Sequence, residues 1–369
     1  MTPRQEALLL INAIEADRRL WDKIADSEEK IETIRNGFLT DEQKKSLTSR
    51  TYKRLVYLVH SQWAEKERYR CESVGVQLLF MGESGYPKKL EKMENAPLVL
   101  YVRGNYSFKK PILSVVGTRR STYYGQQVAR ALGRVAADKN WTLLSGGALG
   151  IDGAAHSGSL DAGGETAVVL AHGLDHVYPK QHEELFRNIL SSGALVTEYG
   201  LGISAKPWHF PKRNRIIAGL ADKIVIVEAP KRSGAIVTAQ IALDIGREIW
   251  VVPGRIDEKI CSGSNKLLYD GAHPLVDLAD FAETLSPITQ LHLLNSKKEK
   301  SKSLCPNISE KEQKILNLIQ NHGDQTVDNL TAQGKMTAAD VISCVSHLSA
   351  LDLIYSSGPG RFRASIESK

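Results

Sequence analysis

The feature that most constrains this 369-residue sequence is the point where an apolar run ends at a glycine and two arginines. Residues 112–116 have the length and the β-branching of a buried parallel strand. Gly117 permits a tight turn after that strand, and Arg119 and Arg120 place positive charge beside it. Because ligands of open α/β sheets bind at the carboxyl ends of the strands, this pattern predicts an anion site here.

Two further apolar runs end in a similar way. Residues 142–144 lead into Ser145, Gly146 and Gly147, and residues 224–228 lead to a second basic loop that ends at Ser233 and Gly234. Backbone N–H groups, helix N-termini and Arg or Lys side chains at such strand ends can together form one anion site. A phosphate chain is the expected ligand.

The alternation of strands and helices between residue 112 and about residue 285 predicts the fold class α/β, with a doubly wound, mostly parallel sheet covered on both faces. The predicted strands are residues 112–116, 142–144, 165–170, 195–198, 224–228 and 248–252, after two short strands at 76–80 and 98–102. Helical spacing of apolar residues predicts a small helical N-terminal domain at 1–72, with the α/β domain at 73–290. Residues 291–306 are polar and low in complexity, which predicts a linker. Three helices and a hairpin predict a winged-helix-like domain at 307–369.

The excess of basic residues is concentrated in the central domain, which is therefore the expected site of an anionic ligand. The formal net charge is +6, and residues 203–232 carry seven Lys and Arg against two acids, whereas residues 308–369 carry six against seven. The four cysteines are scattered without metal-ligand spacing. The sequence has neither an apolar run of membrane-spanning length nor a signal-peptide pattern, so a cytoplasmic protein without membrane contact is expected.

Dinucleotide binding and catalysis are poorly supported. The spacing G-x-G-x-x-G fails after Gly117, and the next strand ends without the acid that a ribose requires. Asp152 and His156 lie one helical turn apart, but such a pair is more often a cap or a surface pair than an acid–base couple. We therefore expect no catalytic residue, no metal and no cofactor.

The segment 209–218 carries three cations in four positions, Lys212, Arg213 and Arg215, at the start of a predicted helix. Cations there oppose the helix macrodipole, and a bound anion would relieve the conflict. Two of the three are expected to face the ligand, and Arg213 is the candidate for a structural tie to an acid. Trp208, His209 and Phe210 are candidates for stacking on bases, with core burial of Phe210 as the alternative.

At these residues the chain resembles the DNA-processing protein A family (DprA, also called Smf). The segments that carry the resemblance are 116–125, 145–156, 173–179, 193–199, 209–218, 232–239 and 252–254. Leu149 departs from the pattern, because many members have Arg there, so the anion site is expected to depend more on Arg119 and the 212–215 cluster.

The resemblance implies an extended Rossmann domain that binds single-stranded DNA, protects it and helps to load RecA recombinase during natural transformation. It also implies an N-terminal domain of the SAM or helix-hairpin-helix type. The predicted DNA contacts are Gly117, Thr118, Arg119, Ser145, Gly146, Gly147, Lys206, Lys212, Arg213, Asn214, Arg215, Ser233 and Gly234. A homodimer is expected through the apolar cluster Leu267, Leu268 and Tyr269, with core burial of the three as the alternative.

Two other functions stay open from the sequence. A nucleotide phosphoribohydrolase would use a similar glycine-rich Rossmann domain, but it needs a carboxylate beside the sugar. A winged-helix transcription regulator would read duplex DNA, yet the third helix of the C-terminal region contains no Lys or Arg.

Overall fold

The computed structural model describes residues 1–286, 308–351, 353–358 and 360–365. The linker predicted at 291–306 lies outside these residues. Contacts divide the chain into two compact units, Met1–Ser286 and Pro287–Lys369. Within the described ranges, no helix is both long enough and apolar enough to cross a bilayer.

Six helices form the N-terminal part of the first unit: α1 Pro3–Ala13, α2 Arg18–Ile24, α3 Glu28–Asn36, α4 Asp41–Lys45, α5 Ser49–His60 and α6 Trp63–Ser73. Helix α1 is buried at every position from 7 to 12. Its leucines Leu8, Leu9 and Leu10 belong to the same apolar cluster as Leu100 and Tyr101 of the sheet. The helical segment and the sheet therefore share one core, and a separate domain at 1–72 stays a prediction of the sequence.

Nine strands form one sheet: β1 Val76–Phe80, β2 Val99–Gly104, β3 Ile112–Val116, β4 Thr142–Ser145, β5 Thr166–Val169, β6 Ala194–Thr197, β7 Lys223–Ile226, β8 Glu248–Val251 and β9 His273–Pro274. Their order is β1-β2-β6-β5-β4-β3-β7-β8-β9. Strands β3 to β9 pair in parallel, while β1 pairs with β2, and β2 with β6, in antiparallel register. The predicted doubly wound, mostly parallel sheet is confirmed.

The helices of this region are α7 Lys88–Glu91, α8 Tyr123–Asp138, α9 Ile151–Asp161, α10 Glu183–Ser192, α11 His209–Leu220, α12 Gly234–Asp244, α13 Ser262–Tyr269 and α14 Leu278–Glu283, with short 3-10 turns at Lys180–His182 and Lys259–Cys261. The chain runs outward from β3 to β6 and then returns through α11 to β7, on the other side of β3. The strand order reverses between β3 and β7, and a crevice is expected at such a switch point.

The predicted dimer face is only partly exposed. Leu267 is 8% exposed and belongs to the core, Leu268 packs against the core, and Tyr269 is 84% exposed. For Leu267 the structure agrees with the alternative of core burial, because α13 turns this side chain inward. Tyr269 is exposed in the single chain, as a residue of an interface with a second chain must be.

The second unit contains α15 Glu310–His322, β10 Gln325–Thr326, α16 Val327–Gly334, α17 Ala338–Ala350, β11 Ile354–Gly358 and β12 Arg361–Ala364. The three strands are antiparallel in the order β10-β12-β11. Val341, Val345 and Leu348 of α17 pack in a small core with Ile315 and Leu330. The predicted three helices and hairpin are confirmed.

Helices α8 and α9 pack backbone to backbone. A Cβ atom on Gly158 would lie 2.0 Å from the carbonyl oxygen of Arg130, and one on Gly133 would lie 2.2 Å from that of Ala155. Neither neighbour is the flexible end of a side chain, so both glycines are required by packing.

We predict that Gly158→Ala destabilises the protein even though alanine is the better helix former. Overpacking costs about 1–3 kcal/mol, which exceeds the gain of about 1 kcal/mol in helix propensity. Thermal unfolding is expected to shift down by about 2–4 °C for each kcal/mol lost. Ser157→Ala, on the same helix, is the control. A melting temperature for Gly158→Ala equal to that of the control would contradict the prediction.

Candidate functional site

A cavity of about 610 Å³ lies at the switch point. Its walls are the loop after β3, the N-terminal half of α11 and the start of α12, and they include Thr118, Arg119, Phe210, Asn214, Ser233 and Gly234. A smaller hollow of about 50 Å³ shares Arg119 and Phe210 and reaches Gly146 and Gly147. Three separate parts of the chain that the sequence predicted to meet are therefore adjacent.

A buried carboxylate holds the loop between β3 and α8. Glu228 is 2% exposed and accepts hydrogen bonds from the N–H of Thr122, at 2.9 Å, and from the Thr122 hydroxyl. The Thr118 N–H donates to the backbone oxygen of Glu228 at 2.7 Å. Because both ends of the loop are tied to Glu228, just beyond β7, the exposed Arg119 and Arg120 are held at the cavity wall. The role of Glu228 was missed because its partner is 106 residues away in the sequence.

The loop after β4 is held in a similar way by Asp152. Its Oδ2 accepts hydrogen bonds from the N–H groups of Gly146, at 3.1 Å, and Ala148, at 3.3 Å. Asp152 therefore stabilises the preceding loop instead of capping α9, whose N-cap is Gly150. Burial raises the pKa of the Asp152 carboxyl, while Arg213 opposes this shift.

The glycines of this loop are needed for internal packing. A Cβ atom on Gly146 would lie 2.5 Å from Nη2 of Arg213, and Gly147 has a φ of +65°. Ser145 is fully buried, and its hydroxyl donates to the backbone oxygen of Val115 at 2.6 Å. The Ser145 side chain therefore lies below the cavity surface and bonds within the sheet, and a contact of Ser145 with a ligand stays a prediction.

Arg213 is the central side chain below the cavity. It is 5% exposed, and its Nη1 donates to the backbone oxygens of Gly146, at 2.8 Å, and Val169. Its Nε donates to Oδ1 of Asn214 at 3.1 Å. Burial lowers the pKa of Arg213 to about 10, and the Asp152 carboxylate opposes this effect. Arg213 is structural, but its hydrogen-bond partners are backbone carbonyls and Asn214 instead of the acid that the sequence suggested.

Asn214 joins α11 to α12. Its Nδ2 donates to the backbone oxygen of Gly234 at 3.1 Å, and Ser233 is the N-cap of α12, where its hydroxyl accepts from the N–H of Ile236. The start of α12 is thereby fixed at the cavity wall, where its N–H groups add a favourable environment for an anion.

Lys212 and Arg215 lie on a different face of α11. The Arg215 side chain is 5% exposed and is paired with Glu198. Nζ of Lys212 donates to the backbone oxygen of Glu15 at 2.8 Å. Neither residue lines the 610 Å³ cavity. The expectation that they meet the same ligand as Arg119 is therefore corrected, because helical spacing turns positions 212 and 215 away from positions 210, 213, 214 and 217.

Aromatic side chains line one wall of the cavity. The guanidinium carbon of Arg119 lies 4.9 Å from the ring centroid of Phe210, and the Tyr178 ring lies 5.7 Å from that of Phe210. Trp208 is 61% exposed and has Nζ of Lys206 at 5.4 Å from its ring centroid. His209 is buried and stacks on Tyr199 at 4.1 Å, so it is not available to a base. Tyr178 was not selected from the sequence, since nothing local marks it as a neighbour of Phe210.

Asp152 and His156, the two residues that the sequence offered as an acid–base pair, have separate hydrogen-bond partners. His156 is fully buried, and its Nδ1 lies 2.7 Å from the Thr166 hydroxyl. Burial lowers the pKa of His156 to about 3. Among the residues that the structure describes, no three His, Cys, Asp or Glu side chains converge in a way that could hold a metal ion.

Comparison with known proteins is consistent with this geometry. The family model described as DNA recombination-mediator protein A matches residues 77–286, which is more than half of the chain. The chain belongs to this family. DNA processing protein DprA of Bacillus subtilis is 35% identical over 213 residues, which cover 57% of this chain and 72% of that protein.

Two solved structures of the family are similar to the present one. The X-ray structure of DprA from Streptococcus pneumoniae has a TM-score of 0.65 at 26% identity, and covers 77% of this chain and 98% of its own. DprA from Helicobacter pylori, described for its mode of single-stranded DNA binding, has a TM-score of 0.52 at 29% identity, and covers 57% of this chain and 95% of its own. The resemblance stated from the sequence motifs is confirmed.

We predict that buried His156 makes the protein less stable in acid. Below pH 6.5 the unfolded chain protonates this residue, whereas the folded protein, with a pKa of about 3, keeps it neutral. The unfolded state then binds more protons, so stability falls as the pH decreases from 6.5 towards 3. When the pH is lowered from neutral to about 5, the free energy of unfolding of wild type should fall by about 2 kcal/mol more than that of His156→Gln.

Urea unfolding of both proteins at the two pH values measures this difference. His60→Gln, at an exposed position of α5, is the control and should follow wild type. An equal loss of stability in wild type and His156→Gln would show that His156 does not carry this part of the acid sensitivity.

Proposed function

We propose that this protein binds single-stranded DNA in the 610 Å³ cavity and acts on it without a catalytic step. The observation that carries the proposal is the composition of the cavity wall, which combines exposed arginines, the fixed N-terminus of α12 and the Tyr178–Phe210 pair. Single-strand sites typically combine a positively charged groove with aromatic rings on which bases stack. The family relative from Helicobacter pylori, described for its single-stranded DNA binding, supports the assignment.

Within the cavity we assign phosphate contacts to Arg119 and Arg120 and to the backbone of Gly234. Thr118 and Ser233 supply hydroxyl groups at the same wall. Phe210 and Tyr178 offer ring faces to an unstacked base. Since the walls are narrow loops, one strand with separated bases fits the site better than a paired helix, whose bases are stacked inside. Gly117, Arg213 and Asn214 build the walls, and Gly146 and Gly147 border the adjoining smaller hollow. Lys206 lies beside the exposed Trp208.

A nucleotide phosphoribohydrolase is a weaker candidate. The carboxylate in the cavity wall is that of Asp152, and it already accepts two backbone hydrogen bonds from the glycine loop. Incubation with nucleoside monophosphates tests this alternative, because release of free base would establish an enzyme.

We further propose that the protein protects single strands and helps to load RecA recombinase in the cytoplasm, in recombination and natural transformation. This part follows from family membership. RecA-catalysed strand exchange on DNA coated with single-strand-binding protein is the appropriate assay. If the rate of strand exchange did not change when this protein was added, the loading role would be excluded, while the proposal of single-strand binding would stand.

Arg119→Ala is predicted to weaken single-strand binding by about tenfold or more, because a hydrogen bond to a charged phosphate is lost. The log–log salt slope should decrease in magnitude by about 0.7 for the one phosphate contact removed. The melting temperature should not change, since Arg119 is exposed. Fluorescence anisotropy with labelled oligothymidylate at several salt concentrations measures both quantities.

The matched control is Arg50→Ala, which removes an exposed cation from α5, outside the cavity. It should keep the affinity and the salt slope of wild type. If Arg119→Ala and Arg50→Ala bound equally well at low salt, the DNA site would have to be elsewhere.

A homodimer is proposed through the face that Tyr269 exposes, with Leu268 partly accessible beside it. Tyr269→Arg is predicted to reduce the sedimentation mass from that of two chains to that of one, because a charge replaces an apolar ring at the contact. Tyr57→Arg, at a residue 70% exposed on α5, is the control. A dimer that persists in Tyr269→Arg would exclude this face.

The C-terminal unit is predicted to bind duplex DNA poorly. Helix α17 is in the position of the helix that would read a major groove in a winged-helix domain, and it has no Lys or Arg. The fragment 306–369 should therefore show little retardation of duplex DNA in a gel-shift assay at physiological salt. Tight duplex binding by this fragment would favour a transcription regulator.

A further inference from the structure

A second hollow, which the proposed DNA site does not include, lies between α8 and α9. Its volume is about 310 Å³, and it is bordered by Gln126, Gln127, Arg130, Gly150, Ser157 and His182. It lies beside the close contact of the two helices, where a Cβ atom on Gly158 would meet the backbone of Arg130. We call it the α8–α9 groove.

The backbone of Thr118 and Arg119 lies between the groove and the cavity. Gly150 borders the groove, and a Cβ atom on it would lie 2.5 Å from the carbonyl oxygen of Thr118 and 3.0 Å from that of Arg119. The side chains of these same two residues line the cavity. A chain that leaves the cavity past Arg119 therefore reaches the groove directly.

The lining of the groove suits a nucleic acid strand. Among the described residues that border it are a guanidinium, two carboxamides, a hydroxyl and an imidazole, and none of these described residues carries a carboxylate. Nδ1 of His182 lies 3.0 Å from the backbone oxygen of Gly147, which places the proton on Nδ1 and leaves Nε2 as an acceptor. Donors for phosphate and sugar oxygens and an acceptor for a base edge are thus present together.

Arg130 supplies the positive charge. Its side chain is 40% exposed, and Nε lies 3.3 Å from Oδ2 of Asp161 without the geometry of a hydrogen bond. Asp161 also lies 3.9 Å from Arg134, one turn further along α8. Asp161 therefore keeps a cationic neighbour when Arg130 is replaced.

We propose that the α8–α9 groove is a second subsite for single-stranded DNA, which binds the nucleotides next to those in the cavity and has Arg130 as its phosphate contact. This inference rests on the proposed function of the cavity. A single strand bound in both places would cross the backbone of Thr118 and Arg119, and one protein chain would contact more nucleotides.

The test compares Arg130→Ala with wild type on oligothymidylates of increasing length. For the shortest strand that wild type binds, the affinities should be equal, because the cavity alone is occupied. For long strands, Arg130→Ala should bind about tenfold more weakly, and its log–log salt slope should be smaller in magnitude by about 0.7.

Two further variants complete the experiment. Arg134→Ala removes a cation that also lies near Asp161 but is absent from the groove lining, so it should follow wild type at every length. Gln127→Glu places a negative charge in the groove and should show the same length-dependent loss as Arg130→Ala. Melting temperatures establish that all of the variants are folded.

The outcomes separate this inference from the proposed function. If wild type gained affinity with length and Arg130→Ala and Gln127→Glu gained it equally, the subsite would be excluded while the cavity assignment stood. If wild type bound no single strand of any length, the proposed function itself would fail. A loss of affinity in Arg134→Ala as large as that in Arg130→Ala would also overturn the subsite. The loss would then result from the lower net positive charge of the protein and not from a contact in the groove.

Discussion

The geometry of the cavity depends on the buried guanidinium of Arg213. Burial of such a cation costs several kcal/mol unless hydrogen bonds and nearby opposite charge compensate for it. Here Arg213 donates to Gly146 at the end of β4, to Val169 at the end of β5, and to Asn214 on its own helix, with Asp152 nearby. The ends of two strands and the crossover helix α11 are thereby joined, and the flexible glycine loop has one position relative to α11.

Much of the fold could be predicted because its signals are local. The β-branched run at 112–116, the glycines after it and the helical spacing of α17 each depend on neighbouring residues. Each end of the predicted strands lies within two residues of the observed end. The two-residue strand β9 and the exposed part of α13 have no comparable pattern. The conformation of β9 depends on its pairing with β8, which is a tertiary contact.

The candidate site was predicted in outline, and the errors have physical reasons. Glycines 146 and 147 indicated close approach of a ligand, whereas Gly146 makes room for Arg213, which lies 67 residues later in the chain. The sequence assigns Lys212 and Arg215 to the ligand because cations at the start of a helix oppose its macrodipole, a conflict that a bound anion would relieve. The helical period of 3.6 residues, applied to the segment 209–218, would have separated them from the face that includes Phe210 and Asn214.

Lys212 and Arg215 lie on the face of α11 that is linked to the N-terminal helices, and through these links the helices influence the site. Arg215 pairs with Glu198, the backbone oxygen of Glu198 accepts a hydrogen bond at 2.8 Å from Asn12 of α1, and Lys212 donates to Glu15 just beyond α1. One helix thus contacts the cavity on one side and α1 on the other. Since α1 is buried from residue 7 to residue 12, it cannot shift without disturbing the shared core. The N-terminal helices therefore fix the position of α11, and through it the position of the cavity wall.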